Sequence, residues 1–95
     1  MVQLLIFLFN FENDQQNLSQ YFHLITNNYD QIIISDFNNN NIQLYENDGE
    51  FIDKFGKKGE NIGEFHYPSG ISFDLNYDNL LICDSGNHQI QKIKI

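Results

Sequence analysis

Two short, unbroken apolar runs, Ile32-Ile33-Ile34 and Leu80-Leu81-Ile82, each follow an Asn-Tyr-Asp triplet and each lead to an aspartate. Asn and Asp tolerate the backbone of tight turns, and a continuous apolar run of strand length fits a strand covered on both faces. Polar turn-formers come next in both places, from Asp36 to Asn41 and from Asp84 to Gln89. The pattern then alternates. In Ile42-Gln43-Leu44-Tyr45 and Ile90-Gln91-Lys92-Ile93-Lys94-Ile95 the apolar side largely repeats every second residue, as on one face of an extended chain. Asn47-Asp48-Gly49 is a hairpin signal, and Glu50 to Phe55 forms the next alternating stretch. The pattern predicts strands near 22–26, 31–36, 41–46 and 50–55, and again near 70–74, 79–84 and 89–95.

The two halves are copies of each other. Asn28, Tyr29, Asp30, Ile34, Asp36, Asn39, Ile42 and Gln43 recur identically 76 − 28 = 48 positions later, without a gap. A period in the forties is that of a four-stranded propeller blade, about 40–50 residues. The expected fold is therefore all-β, a partial β-propeller of about two four-stranded antiparallel blades. Residues 18–60 make the first repeat and 61–95 the second, whose fourth strand is missing where the sequence stops. Residues 1–17 form an N-terminal apolar segment, read as an outer strand.

Composition agrees with strands and narrows the chemistry. Nine Phe and five Tyr bring aromatics to 15% of the 95 residues, which favours sheets over helices. Thirteen acids against five Lys give a formal charge of −8. Nucleic-acid binding depends on neutralising phosphates with basic side chains, so a nucleic-acid partner is not expected. Cys83 is the single cysteine, which excludes an intramolecular disulfide and a paired-cysteine metal site and points to a reducing, cytoplasmic setting. Residues 2–9 resemble a signal-peptide core, yet Asn10-Phe11-Glu12 stand where a small-residue cleavage site belongs. The stretch is far too short to span a membrane, so no membrane association is expected.

Gly63-Glu64-Phe65-His66-Tyr67-Pro68-Ser69-Gly70-Ile71 resembles the lead-in to a blade of the NHL repeat family, with Pro and Gly before the innermost strand. Asp84-Ser85-Gly86-Asn87-His88-Gln89-Ile90-Gln91 resembles that family's signature, Asp followed by Asn-His and an Ile-Gln strand. The first copy keeps Asp36, Asn39, Ile42 and Gln43 but has Asn40 in place of the His, and it lacks the Pro-Gly lead-in. The resemblance implies a propeller, usually six-bladed, of the kind that serves TRIM-NHL ubiquitin-ligase proteins as a protein- or RNA-binding module. Related propellers form a metal-dependent amidating lyase and the extracellular sensors of bacterial kinases.

The residues themselves show no catalytic set. Asp36, Asn39, Asp84 and Asn87 read as structural turn residues whose short side chains bond local backbone. The stretch from Asp36 fails as a calcium loop, because Asn41 and Asn47 stand where Gly and a bidentate Glu are needed. His23, His66 and His88 lack metal-ligand spacing and read as turn or surface histidines, and no cofactor is expected. Cys83, in an apolar strand, reads as a buried, inert thiol. Gly56-Lys57-Lys58-Gly59 reads as a flexible, solvated connection, and Lys57 and Lys58, with His88, are a candidate contact patch. Asn17-Leu18-Ser19 is a glycosylation sequon, without consequence in the cytosol.

The expected function is a non-catalytic protein-interaction module, the partner-recognition part of a ubiquitin-ligase-like scaffold. The alternatives are an RNA-binding NHL module and a fragment of an amidating-lyase-like propeller. Two blades cannot close a ring and would leave sheet faces in water. The chain is then a piece of a longer propeller, or three copies close the ring, Leu4 to Phe9 supplying another copy's missing strand.

Overall fold

The computed structural model describes residues 21–94. Turn signals separate seven strands: β1 (Tyr21–Thr26), β2 (Ile32–Asp36), β3 (Asn41–Tyr45), β4 (Phe51–Phe55), β5 (Pro68–Phe73), β6 (Asn79–Asp84) and β7 (Gln89–Lys94). The first four form one antiparallel sheet in chain order, and the last three form a second. Strand ends fall within two residues of the pattern's limits. The largest difference is at β5, which opens on Pro68; proline has no N–H to donate and suits the first position of an edge strand. Residues 1–17, with the Leu4–Phe9 strand expected there, lie outside the described residues.

The alternation of side chains explains how the sheets pack. In the first sheet Ile33 lies opposite Leu44, and Ser35 opposite Ile42. These positions face the second sheet. There Ile33 and Ile42 join Phe65, Ile71, Leu80 and Ile82 in one buried cluster, edged by Phe55, Phe73 and Ile93. The other face of the first sheet carries a separate cluster of Ile32, Ile34 and Tyr45.

Near β1 and β5 the seam between sheets is polar. The Ser35 hydroxyl donates to the Ser69 carbonyl at 2.6 Å, and the Ile71 N–H donates to His23 Nδ1 at 2.9 Å. At β3 and β4 the sheets diverge, leaving an apolar cavity of about 250 Å³ beside Ile33, Ile42, Leu44, Phe55 and Leu80.

Two expectations are corrected. Cys83 is exposed, not buried. It pairs with Ile90 across the sheet, on the face turned away from the first sheet, and Ile90 is itself 70% exposed. Ser35 and Ile42, the same positions one repeat earlier, are fully buried because the second sheet covers them. The sequence pattern is shared, and the cover is not. Cys83 should accordingly react to completion with a thiol reagent in the absence of denaturant, and a thiol released only on unfolding would contradict this exposure.

The second correction concerns Gly56 to Gly59, whose lysine side chains are solvated as expected but whose backbone is pinned rather than loose. Lys58 forms a parallel bridge with Phe65, the Phe65 N–H donates to the Lys57 carbonyl, and the Gly59 N–H donates to the Phe65 carbonyl. The cause is Phe65, whose ring is fully buried and holds the loop against the sheets. Gly56 sits at φ +98°, and a Cβ there would lie 2.5 Å from the Phe65 ring. Gly56→Ala should cost about 2 kcal/mol or more in denaturant unfolding, from left-handed strain and overpacking together.

Candidate binding face

Three connections meet at one end of the strands: the β2–β3 turn, the β4–β5 connection and the β6–β7 turn. Each turn is built around an aspartate. Asp84 is fully buried, and its carboxylate accepts from the His66 N–H at 2.8 Å and from the side-chain amides of Asn87, Gln89 and Gln91 at 2.9, 3.1 and 3.0 Å. Burial alone would raise the Asp84 carboxyl, but these donors outweigh it and hold it below the usual carboxylate value. Asn87 and Gln91 each use a second proton to tie down the β4–β5 connection, on the Gly59 and Glu64 carbonyls.

The first repeat has the same arrangement. Asp36 is fully buried and accepts from the Asn39 N–H and side-chain amide at 3.2 and 3.0 Å, and from the Gln43 amide at 3.4 Å. The structure thus gathers Asp36, Asn39 and Gln43 in one turn and Asp84, Asn87 and Gln91 in the other, each set on one aspartate. Their oxygens and amides are spent on holding loops in place. The two glutamines were visible in the repeat, but their part was not, because it depends on strand register bringing each one beside its aspartate.

Above these turns lies a feature the sequence did not disclose. The rings of Phe37, Tyr67 and His66 form a continuous stack, with Phe37 and Tyr67 centroids 4.7 Å apart and His66 and Tyr67 centroids 4.4 Å apart. Tyr67 lies in the middle and is 40% exposed. Its backbone is left-handed, φ 56°, which costs a residue with a Cβ about 1–2 kcal/mol. The Tyr67 N–H donating to Asn40 Oδ1 at 2.8 Å helps offset that cost. Such local strain, held by its surroundings, favours a functional reading of a residue.

Of the candidate contact residues, Lys57 and Lys58 are both exposed at this end, and the Lys57 ammonium lies 3.7 Å from Glu64. His88 is exposed too and closes the β6–β7 turn in the left-handed conformation. The bond from Asn87 to Gly59 brings the His88 turn and the lysine loop side by side. All three belong to the same face as the ring stack. Among the described residues no group of three or more His, Cys, Asp or Glu is placed to hold a metal ion.

A four-stranded and a three-stranded antiparallel sheet, stacked face to face and built from a 48-residue sequence repeat, have the geometry of propeller blades. A family model described as 6-bladed beta-propeller matches residues 6–92. The chain belongs to that family. Protein brain tumor of Drosophila melanogaster is 32% identical over 66 residues, which is 68% of this chain and 6% of that protein. The chain therefore spans a small fraction of that relative's length. Within the propeller the two sheets are adjacent blades, and the candidate face is one of its two loop-bearing ends.

Proposed function

We propose that the chain is a non-catalytic protein-interaction module of NHL type, which engages its partner through the face bearing Phe37, Tyr67 and His66. The observation that carries this is the stacked ring trio: aromatic area packed ring on ring in the connections at the strand ends, partly in water, where loops converge. Rigid aromatic side chains bind with little loss of conformational freedom and are prominent at binding hot spots. The NHL type is supported by Pro68, Gly70, Asp84, Asn87, Ile90 and Gln91, which stand where that pattern has them, and by the similarity to Protein brain tumor. In a longer ubiquitin-ligase-like scaffold this face would be the partner-recognition part, and the single exposed thiol suits a cytoplasmic setting.

The test is photo-crosslinking from Asn38, beside the stack, in cells expressing the chain. A protein crosslink lost on Tyr67→Ala, with circular dichroism unchanged, supports the reading. A crosslink pattern indifferent to Tyr67→Ala contradicts it. Lys57 and Lys58 beside stacked rings favour one second reading, single-stranded RNA, since bases stack on aromatic faces and lysines neutralise phosphates. Salt-sensitive retention of a labelled single-stranded RNA, lost on Lys57→Ala with Lys58→Ala, would select it.

A further inference from the structure

At the opposite end of the strands the connections are acidic. The β1–β2, β3–β4 and β5–β6 turns hold Asp30, Glu46, Asp48, Glu50, Asp74 and Asp78 and no basic residue. The bases nearest this end are on β7, Lys92 opposite Leu81 and Lys94 opposite Asn79.

Between the β1–β2 and β5–β6 turns the seam opens into two adjoining cavities. One, of about 260 Å³, has Tyr29, Ile33, Leu44, Phe73 and Tyr77 in its wall. The other, of about 370 Å³, shares Phe73 and Tyr77 and adds Leu75 and Asp74. Together they form a cleft with an aromatic and aliphatic floor and Asp74 in its wall, and Asp30 and Asp78 lie in the two turns that flank it.

The exposed side chains here have no part in folding the turns. In the first turn Asn27 Oδ1 accepts from the Tyr29 and Gln31 N–H groups at 2.9 and 3.0 Å. In the second Asp74 Oδ1 accepts from the Asp78 and Asn79 N–H groups at 3.1 and 3.3 Å. Backbone and Asx side chains make both turns, yet Tyr29 is 81%, Leu75 98% and Tyr77 54% exposed. Tyr77 leans on Phe73 with centroids 5.2 Å apart, so its ring is supported. The Tyr-Asp pair occurs at the same place in both repeats, Tyr29-Asp30 and Tyr77-Asp78.

We propose that this cleft is a second docking surface, on the end opposite the ring stack, for a basic peptide segment: an arginine or lysine lays its alkyl stem on Phe73 and Leu75, its charge facing Tyr29, Tyr77 and the carboxylates of Asp30, Asp74 and Asp78. Long basic side chains cover apolar surface while keeping their charge in polar surroundings, and cations favour the faces of tyrosine rings. Charge complementarity selects the occupant. A second copy of this chain, at a formal −8, and an RNA phosphate chain are both repelled by the six carboxylates, whereas a cationic segment is drawn to them.

The test uses a fluorescein-labelled peptide of alternating arginine, leucine and glycine and its glutamate-for-arginine twin, with anisotropy as the readout. The arginine peptide should bind saturably and weaken about tenfold or more between about 50 mM and about 500 mM salt, and the glutamate twin should not bind. Tyr29→Ala with Tyr77→Ala should weaken the arginine peptide about tenfold, since ring faces and apolar area are both lost, with unchanged circular dichroism. Tyr67→Ala should leave it unaffected, which separates this cleft from the face proposed above. Equal binding by the double tyrosine variant would reduce the effect to diffuse charge attraction and overturn the proposal. Binding of the glutamate twin, loss of binding on Tyr67→Ala, or no binding of the arginine peptide would overturn it as well.

Discussion

Asp84→Ala is expected to lower the unfolding free energy by about 3 kcal/mol, from the loss of charge-assisted bonds and the stranding of buried donors. The carboxylate accepts from the His66 backbone and from three side-chain amides. Alanine leaves those donors facing a void that the packed turn cannot close. Asn87 and Gln91 also hold Gly59 and Glu64, so the β4–β5 connection loosens with the turn. Guanidinium unfolding followed by circular dichroism would read the change, and a midpoint unmoved by the substitution would contradict it.

Titration adds a second signature. The Asp84 carboxyl is held below its ordinary value in the fold, so the folded state binds the proton less readily than the unfolded chain. The stabilisation is fully present above the unfolded carboxylate value of about 4 and fades as pH falls through the lower folded value. The acid limb of the stability curve should therefore be shallower in Asp84→Asn than in the natural sequence. A limb of equal slope would mean that Asp84 does not contribute to acid unfolding.

The second large effect is expected in the packing between sheets. Ile82 is fully buried and sits in the cluster that Ile33 and Ile42 enter from the other sheet. Ile82→Ala should cost about 3 kcal/mol, combining lost transfer energy with the cavity left behind. Leu80 lies beside the open 250 Å³ cavity, where neighbours already lack atoms to pack against. Its truncation to alanine should cost less than that of Ile82. The order of the two losses, measured by equilibrium unfolding, tests whether the seam is tight at Ile82 and loose at Leu80.

Strands were legible because period-two alternation and turn residues are local properties. The repeat was legible because its two copies can be compared directly. The Asp-Asn pairs at 36 and 39 and at 84 and 87 were readable as turn residues for the same reason, since each side chain bonds within three positions. The ring stack was not legible. Phe37 and Tyr67 are thirty positions apart in the sequence, and only the contact between blades brings their rings together. Cys83 shows the limit from the other side: its local pattern matches that of the buried Ser35, and burial was decided by whether another sheet lies over it. The gathering of carboxylates at one end was likewise hidden, because strand direction, not sequence order, sorts alternate turns to opposite ends.

The seam between the blades has a thermal consequence. Toward β1 and β5 it is fastened by polar bonds, His23 to Ile71 and Ser35 to Ser69, whereas beyond them it relies on aliphatic and aromatic contact. Apolar association weakens on cooling, and hydrogen bonds do not share that dependence. Chilling thus loosens the β3–β4 side of the seam while the β1–β5 side stays latched.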